Sequence, residues 1–364
     1  MKRAYLWLVV AIVAAALLGI AVARHSGYVL IAYDSFRYES SLWATLGLLV
    51  ALASALLCAW AAFDKNFWLL VTATVIAGYY SANGQLYRFA AAELAAPDYR
   101  EKAVSLVLAG GLVGAVLGPN LASRTRNLFE VPFAGAYLSL ALVALISIAI
   151  MSFLKFPPLP PRKANADTGR PLSVIMKQPV FIVATAGAAL GYGVMNLLMA
   201  ATPLAMQVCG FEFDDAALVL EWHVIGMFAP GFFTGHLIKR FGTLTIMGVG
   251  VVLNIACIAV ALSGVDLHQF LIALFLLGVG WNFLFTGSTT LSLQAYRPEE
   301  KDRAQAAINF FVFATMAVTS FASGALVTTQ GWALLNVGSL VPVALTGAAL
   351  GWLAWLQRHA HNPA

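Results

Sequence analysis

The chain has 364 residues, of which 61% are hydrophobic and 10% charged, with a mean hydropathy of +0.84 and a formal net charge of +5. A soluble domain carries about a quarter of its residues as charges, so this composition excludes one and points to a polytopic membrane protein. The cations gather in short stretches between apolar runs, which is the pattern of membrane orientation and not of nucleic-acid binding.

Leu6 to Ala23 follows Met1-Lys2-Arg3 as in a signal peptide, but a second apolar run, Leu42 to Phe63, comes soon after, so an uncleaved anchor is expected. Each run is about long enough to cross a hydrocarbon core of roughly 30 Å as a helix. Between them lies Gly27-Tyr28-Val29-Leu30-Ile31, then Glu39-Ser40-Ser41 at the next helix. This stretch resembles the N-terminal two-helix module of HemY-type bacterial inner-membrane proteins, over residues 1 to about 63 only. In that family a helical-repeat domain follows; here Phe67 to Leu94 is another apolar span, unusual for Tyr79, Tyr80, Ser81, Asn83, Gln85, Tyr87 and Arg88 within it.

Val104 to Ala122 contains Gly110, Gly114 and Gly118, then Pro119. Glycine at every fourth position strips one helix face, so a neighbouring backbone is expected to approach closely there. Phe133 to Leu154 ends the first half. Residues 155–179 then break the apolar pattern with Pro157, Pro158, Pro160, Pro161 and the cations Lys155, Arg162, Lys163, Arg170 and Lys177. Such a segment lies in water as a linker. Six spans follow: Val180 to Met206, Ala216 to Ile238, Thr243 to Leu262, Phe270 to Gln294, Gln305 to Val327 and Trp332 to Leu356, for about eleven in all.

Pro97-Asp98-Tyr99-Arg100-Glu101-Lys102-Ala103 returns 201 residues later as Pro298-Glu299-Glu300-Lys301-Asp302-Arg303-Ala304, each copy on the brink of a helix. Two charged loops can match by chance; the alternative is the internal repeat of a transporter built from two six-helix halves. From the third span onward one set of span ends holds Arg100, Lys102, the linker cations, Lys239, Arg240, Arg297, Lys301, Arg303 and Arg358, and the opposite set only Arg124 and Arg126. Cations stay cytoplasmic, so the linker and C-terminus are expected inside. The same count puts Met1-Lys2-Arg3 outside and leaves the first half one helix short. Three readings answer this: a foreign hairpin fused at the front, a truncated or misjoined coding sequence, or eleven spans with an outside N-terminus.

Gly235-His236-Leu237-Ile238-Lys239-Arg240-Phe241-Gly242 reads as a short cytoplasmic turn. It resembles the Gly-x-Leu-x-Asp-Arg-x-Gly loop of the major facilitator superfamily: Gly235, Leu237, Arg240 and Gly242 match, while Lys239 replaces the acid. The series Gly110, Gly114, Gly118, Pro119 is similar to the fifth-helix motif of antiporter branches, without its trailing Gly-Gly. The resemblance covers residues 67–358 and implies an all-α polytopic membrane protein with a two-bundle helical fold and secondary transport by alternating access. It also implies that the Gly235–Gly242 loop acts as a conformational latch. The expected order is a HemY-like segment to residue 66, the rest of the first bundle over 67–154, the linker over 155–179 and a six-helix bundle over 180–358.

Ionisable groups inside a span are costly, about 2.5–3.5 kcal/mol each, and so mark a pathway. Arg88, with Gln85 and Ser81 on the same helix face and Tyr87 beside it, offers donors to an anionic or carbonyl-bearing solute, or pairs with Glu93. Glu221 and His223 are candidates for proton coupling or for interhelical hydrogen bonds. Asn196, Asn282 and Asn309 are candidate cavity donors, and Trp281, Tyr79 and Tyr80 could stack on a flat solute. Cys58, Cys209 and Cys257 show no CxxC spacing and read as apolar packing residues, so neither a zinc site nor a disulfide framework is expected. No HExxH, GxSxG or GxxxxGK[ST] occurs, so no enzyme activity or cofactor is expected. The expected partners are the lipid bilayer, a small solute and protons, with no nucleic acid. The competing expectation is a non-transporting membrane scaffold.

Overall fold

The computed structural model describes residues 28–33, 36–84, 100–153 and 169–360. These are helical apart from one antiparallel hairpin, β1 (Tyr28–Tyr33) with β2 (Phe36–Ser41), in which Tyr28 pairs with Ser41 and Tyr33 with Phe36. The hairpin adds to the all-α expectation: the β-branched and aromatic residues of Tyr28–Tyr33 suit a strand. The helices are α1 (Leu42–Phe63), α2 (Phe67–Gly84), α3 (Arg100–Thr125), α4 (Ala134–Ser152), α5 (Leu172–Ile175), α6 (Pro179–Val208), α7 (Phe213–Phe228), α8 (Gly231–Phe241), α9 (Thr243–Ser263), α10 (Leu267–Ser292) and α11 (Lys301–Ala360). They divide into two compact units, one within Met1–Val107 and Asn120–Pro161, the other within Leu108–Pro119 and Arg162–Ala364.

In the first unit α1 packs on α2 and α4, and β2 touches both α1 and α4. Apart from Leu48, the side chains buried on α1 are small, Ser54, Ala55, Cys58, Ala59 and Ala61, while Leu49, Leu56 and Trp60 are exposed. This inside-out pattern suits a helix solvated by lipid, where small residues let backbones close on one another. Lys65, at φ 51, reverses the chain after α1, and Asn66 Oδ1 accepts the Leu69 N–H to open α2.

In the second unit α10 is surrounded by α6, α7 and α9, and α11 runs along α6 and α9. Gly278 of α10 sits against the His223 carbonyl and the Met227 N–H of α7, where a Cβ has no room. The expected span over Ala216 to Ile238 is two helices, α7 and α8, bent by 41°. Pro230, with no N–H to donate, marks the break. Conversely α11 holds two expected spans in one run, divided at Gly331 (φ 80, ψ 173).

Among the described residues six helices are long and apolar enough to cross a membrane, seven if the bent pair is one span. The expected span over Leu6 to Ala23 and the end of the one over Phe67 to Leu94 lie outside the described residues. The loop repeat has a structural counterpart: α3 begins at Arg100 and α11 at Lys301, the same offset of 201.

Candidate functional site

Among the described residues, the second unit gathers most of the polar and aromatic groups that face other helices. Along α10, Trp281, Phe285 and Ser288 fall at i, i+4 and i+7 and share one face. Facing it on α6 are Gly187, beside Ser288, and Gly191, whose Cβ would lie 3.2 Å from Leu284, so the two helices close tightly. The Trp281 and Phe285 rings stack at 5.0 Å with an interplanar angle of 11°. Tyr192 of α6 meets both edge-on, at 5.2 and 5.4 Å, and Phe228 of α7 approaches Trp281 at 6.2 Å. Trp281 is 6% exposed, whereas Tyr192 and Phe285 are half-buried.

Three of the candidate solute-facing residues make hydrogen bonds between helices. Asn196 Nδ2 lies 2.8 Å from Ser320 Oγ, 3.0 Å from Thr319 Oγ1 and 3.2 Å from the Met316 carbonyl, fastening α6 to α11. Asn282 donates from Nδ2 to the Met227 carbonyl at 2.7 Å and accepts from Thr234 Oγ1 at 2.7 Å, spanning the α7–α8 bend. His223 is fully buried, and its Nδ1–H donates to the Leu274 carbonyl at 2.7 Å. Glu221, two residues away, is half-buried, as is Asn309 on α11. Gln85, Tyr87 and Arg88 lie outside the described residues.

Both glycine motifs differ from their expected local setting. Gly235, Leu237 and Arg240 belong to α8, and the chain turns only at Gly242 (φ 87), because one residue with left-handed freedom suffices to reverse it. The Arg240 guanidinium lies 5.2 Å from the centre of the Phe241 ring. A Cβ at Gly110, Gly114 or Gly118 would meet nothing within 4 Å. The close approach in this stretch is one position along, at Gly111, 3.1 Å from the Phe228 ring. Cys209 is exposed at the end of α6, unlike buried Cys58 and Cys257.

At the end of the linker Arg170 is a partly exposed cation held by hydrogen bonds. Its backbone N–H and Nε both donate to Glu300 Oε1, at 2.7 and 2.8 Å, and Nη2 donates to Oε2 at 2.7 Å and to the Ala295 carbonyl at 3.0 Å. Gln178 Nε2 adds a bond to the same carbonyl at 2.8 Å, and the Arg297 N–H reaches Glu300 Oε2 at 2.9 Å. Gly169, at φ +65, leaves 2.5 Å between a would-be Cβ and Glu300 Cγ, so no other residue fits there. The Arg170 hydrogen bonds hold the Glu300 carboxyl well below the usual carboxylate range, although burial pulls the other way. The Arg170 guanidinium is raised in turn, chiefly by the Glu300 bond.

The aromatic pair on α10 is legible as an i, i+4 spacing; its Tyr192 partner and the Arg170–Glu300 clasp, 130 residues apart, carry no local signal. The Major Facilitator Superfamily sequence model matches residues 4–230 and 214–364, so it runs through most of the segment likened above to HemY-type proteins. The chain is 40% identical over 294 residues to the riboflavin transporter RfnT of Brucella anthropi, covering 80% of this chain and 74% of that one. It is 27% identical over 318 residues to the uncharacterized MFS-type transporter YddS of Bacillus subtilis, covering 82% and 73%. Among solved structures it is similar in fold, at 16% identity and a TM-score of 0.62, to a bacterial homologue of the iron transporter ferroportin in an inward-facing state, over 96% of this chain and 88% of that one. With a family match along nearly its whole length and the helical architecture described above, the chain belongs to the major facilitator superfamily.

Proposed function

We propose that this chain moves riboflavin, or another solute with the same flat heteroaromatic core, across the bacterial inner membrane by alternating access. The identity to RfnT supports the substrate class. The observation that carries it on the structural side is the Tyr192, Trp281 and Phe285 group, a rigid aromatic surface suited to a planar ring system. Arg88, Gln85 and Tyr87 are proposed as solute-facing donors. The distribution of cations supports a cytoplasmic linker and C-terminus.

Proton coupling is part of this reading, with Glu221 as the coupling carboxylate; His223 is assigned to helix packing, because its Nδ1–H is committed to Leu274. Residues 1–66 are read as the front of the first bundle, since α1 packs on α2 and α4. The non-transporting scaffold is not favoured for a member of a transporter family.

Uptake of riboflavin into vesicles holding the purified protein tests the proposal. Saturable uptake that rises with an imposed proton gradient is expected, and Glu221→Gln should remove the gradient dependence. Uptake no greater than in empty vesicles would dismiss the flavin reading, and gradient-driven uptake unaltered by Glu221→Gln would dismiss the coupling assignment.

A further inference from the structure

The α6–α10 seam contains polar groups that the protein leaves without partners. Trp281 Nε1, Ser288 Oγ and Thr185 Oγ1 are buried with no hydrogen-bond partner, in residues that are 6%, 2% and 9% exposed. A buried donor left unmade is destabilising, and a serine in an apolar helix ordinarily bonds back to its own backbone, as Thr289 and Ser292 of the same helix do. Trp281 and Ser288 lie on the α10 face that carries Phe285, seven residues and about 10 Å apart along the axis. Thr185 and Tyr192, likewise seven apart, share a face of α6.

Resting on the flavin reading above, we infer that this seam is the recognition site for the ring system. The solute lies against Tyr192 and Phe285, whose rings are half-buried, and the Trp281 N–H donates to a ring carbonyl oxygen. Where the close contact at Gly187 parts during the transport cycle, Ser288 and Thr185 serve the polar atoms at the other end, at a spacing that matches a fused-ring solute and exceeds a single ring. An indole N–H supplies one donor and accepts nothing, so it selects solutes that present a carbonyl or ring nitrogen at that position. A site built to hydrogen-bond such a group discriminates strongly against rings lacking it.

The test is a titration of the purified full-length protein with riboflavin, followed by quenching of flavin fluorescence. Trp281→Phe keeps an aromatic ring and deletes the N–H; it should weaken binding about tenfold, equivalent to about 1.4 kcal/mol. Trp222→Phe, at a side chain that is 47% exposed, should leave affinity unchanged. Ser288→Ala removes a single atom and should weaken binding about threefold, which keeps the site testable if the indole variant folds poorly. Riboflavin binding by the wild type with unchanged affinity in Trp281→Phe and Ser288→Ala would overturn the seam as the site while leaving the flavin reading intact. Failure of the wild type to bind riboflavin would overturn both.

Discussion

Helix α4 of the first unit and α6 of the second are both long and apolar, yet they are packed in opposite ways. In α4 22% of the spanning window is buried and in α6 72%, although α4 is the more hydropathic of the two. Leu140, Leu142, Leu145, Ile146 and Ile150 of α4 point outward, and only small residues such as Ala141 and Ala144 are covered. The buried set of α6 includes Gly187, Gly191, Gly193, Asn196 and Thr202. Lipid solvates leucine as well as another helix does, so the closest approaches between helices fall at small residues. On α6 those glycines sit among large buried side chains such as Phe181, Met195, Leu198 and Met206, and hydropathy alone does not tell this helix from α4.

The contrast is most exposed at the α7–α10 crossing. A Cβ on Gly278 meets the His223 carbonyl, and lies 2.9 Å from Met227 N. Gly226 faces back with 2.7 Å between its would-be Cβ and the Phe275 carbonyl. Backbone cannot move aside as a side chain can, so Gly278→Val should cost at least the roughly 1–3 kcal/mol typical of overpacking. A thermal melt in detergent should show the largest fall of any single change proposed for this protein, or no folded protein at all. A melt equal to the wild type would mean that the second unit is not held by backbone contact.

The Arg170–Glu300 clasp gives a smaller effect with a distinctive pH dependence. Glu300 has a depressed folded-state pKa, so its contribution is fully present above the ordinary value of 4.5 and is lost as pH falls through the lowered folded value. Glu300→Gln should therefore lower the melting temperature by a few degrees at pH 7. The gap should stay constant down to about pH 5 and close progressively below 4.5 as the wild-type carboxylate protonates. A gap independent of pH down to the acid limit of the melt would show that the carboxylate charge contributes nothing there.

The spans and the loop repeat were legible because both are local patterns. α1 occupies the expected Leu42 to Phe63, and the two helix starts at Arg100 and Lys301 keep the repeat offset. The bend at Pro230 falls inside the expected span Ala216 to Ile238, because a proline in an apolar run does not by itself tell a kink from a break. The roles of the polar residues were not legible, because Asn196, Asn282 and His223 look alike whether they face a cavity or a neighbouring carbonyl. Only the partners Ser320, Met227 and Leu274, which lie far off in sequence, decide it. Arg170 was read from its proline-rich surroundings as solvated, and the buried Glu300 that holds it is 130 residues away. The first-half candidates Gln85, Tyr87 and Arg88 fall outside the described residues.

The glycine series of α3 gives the smallest expected effect and the sharpest contrast with Gly278. Spacing alone marked Gly110, Gly114 and Gly118 as a packing face, yet a Cβ at any of the three would meet nothing within 4 Å. With no steric penalty, Gly114→Ala should gain the helix-propensity difference, about 0.5–1 kcal/mol, and the melt should rise slightly or stay level. Riboflavin uptake separates two meanings of that result. If uptake is also unchanged, the stripped face has no role in packing or transport, and the resemblance to the antiporter motif is one of spacing only. If uptake falls while the melt holds, the face is used in another conformation of the transport cycle, where a neighbouring backbone needs the room that the absent side chains leave.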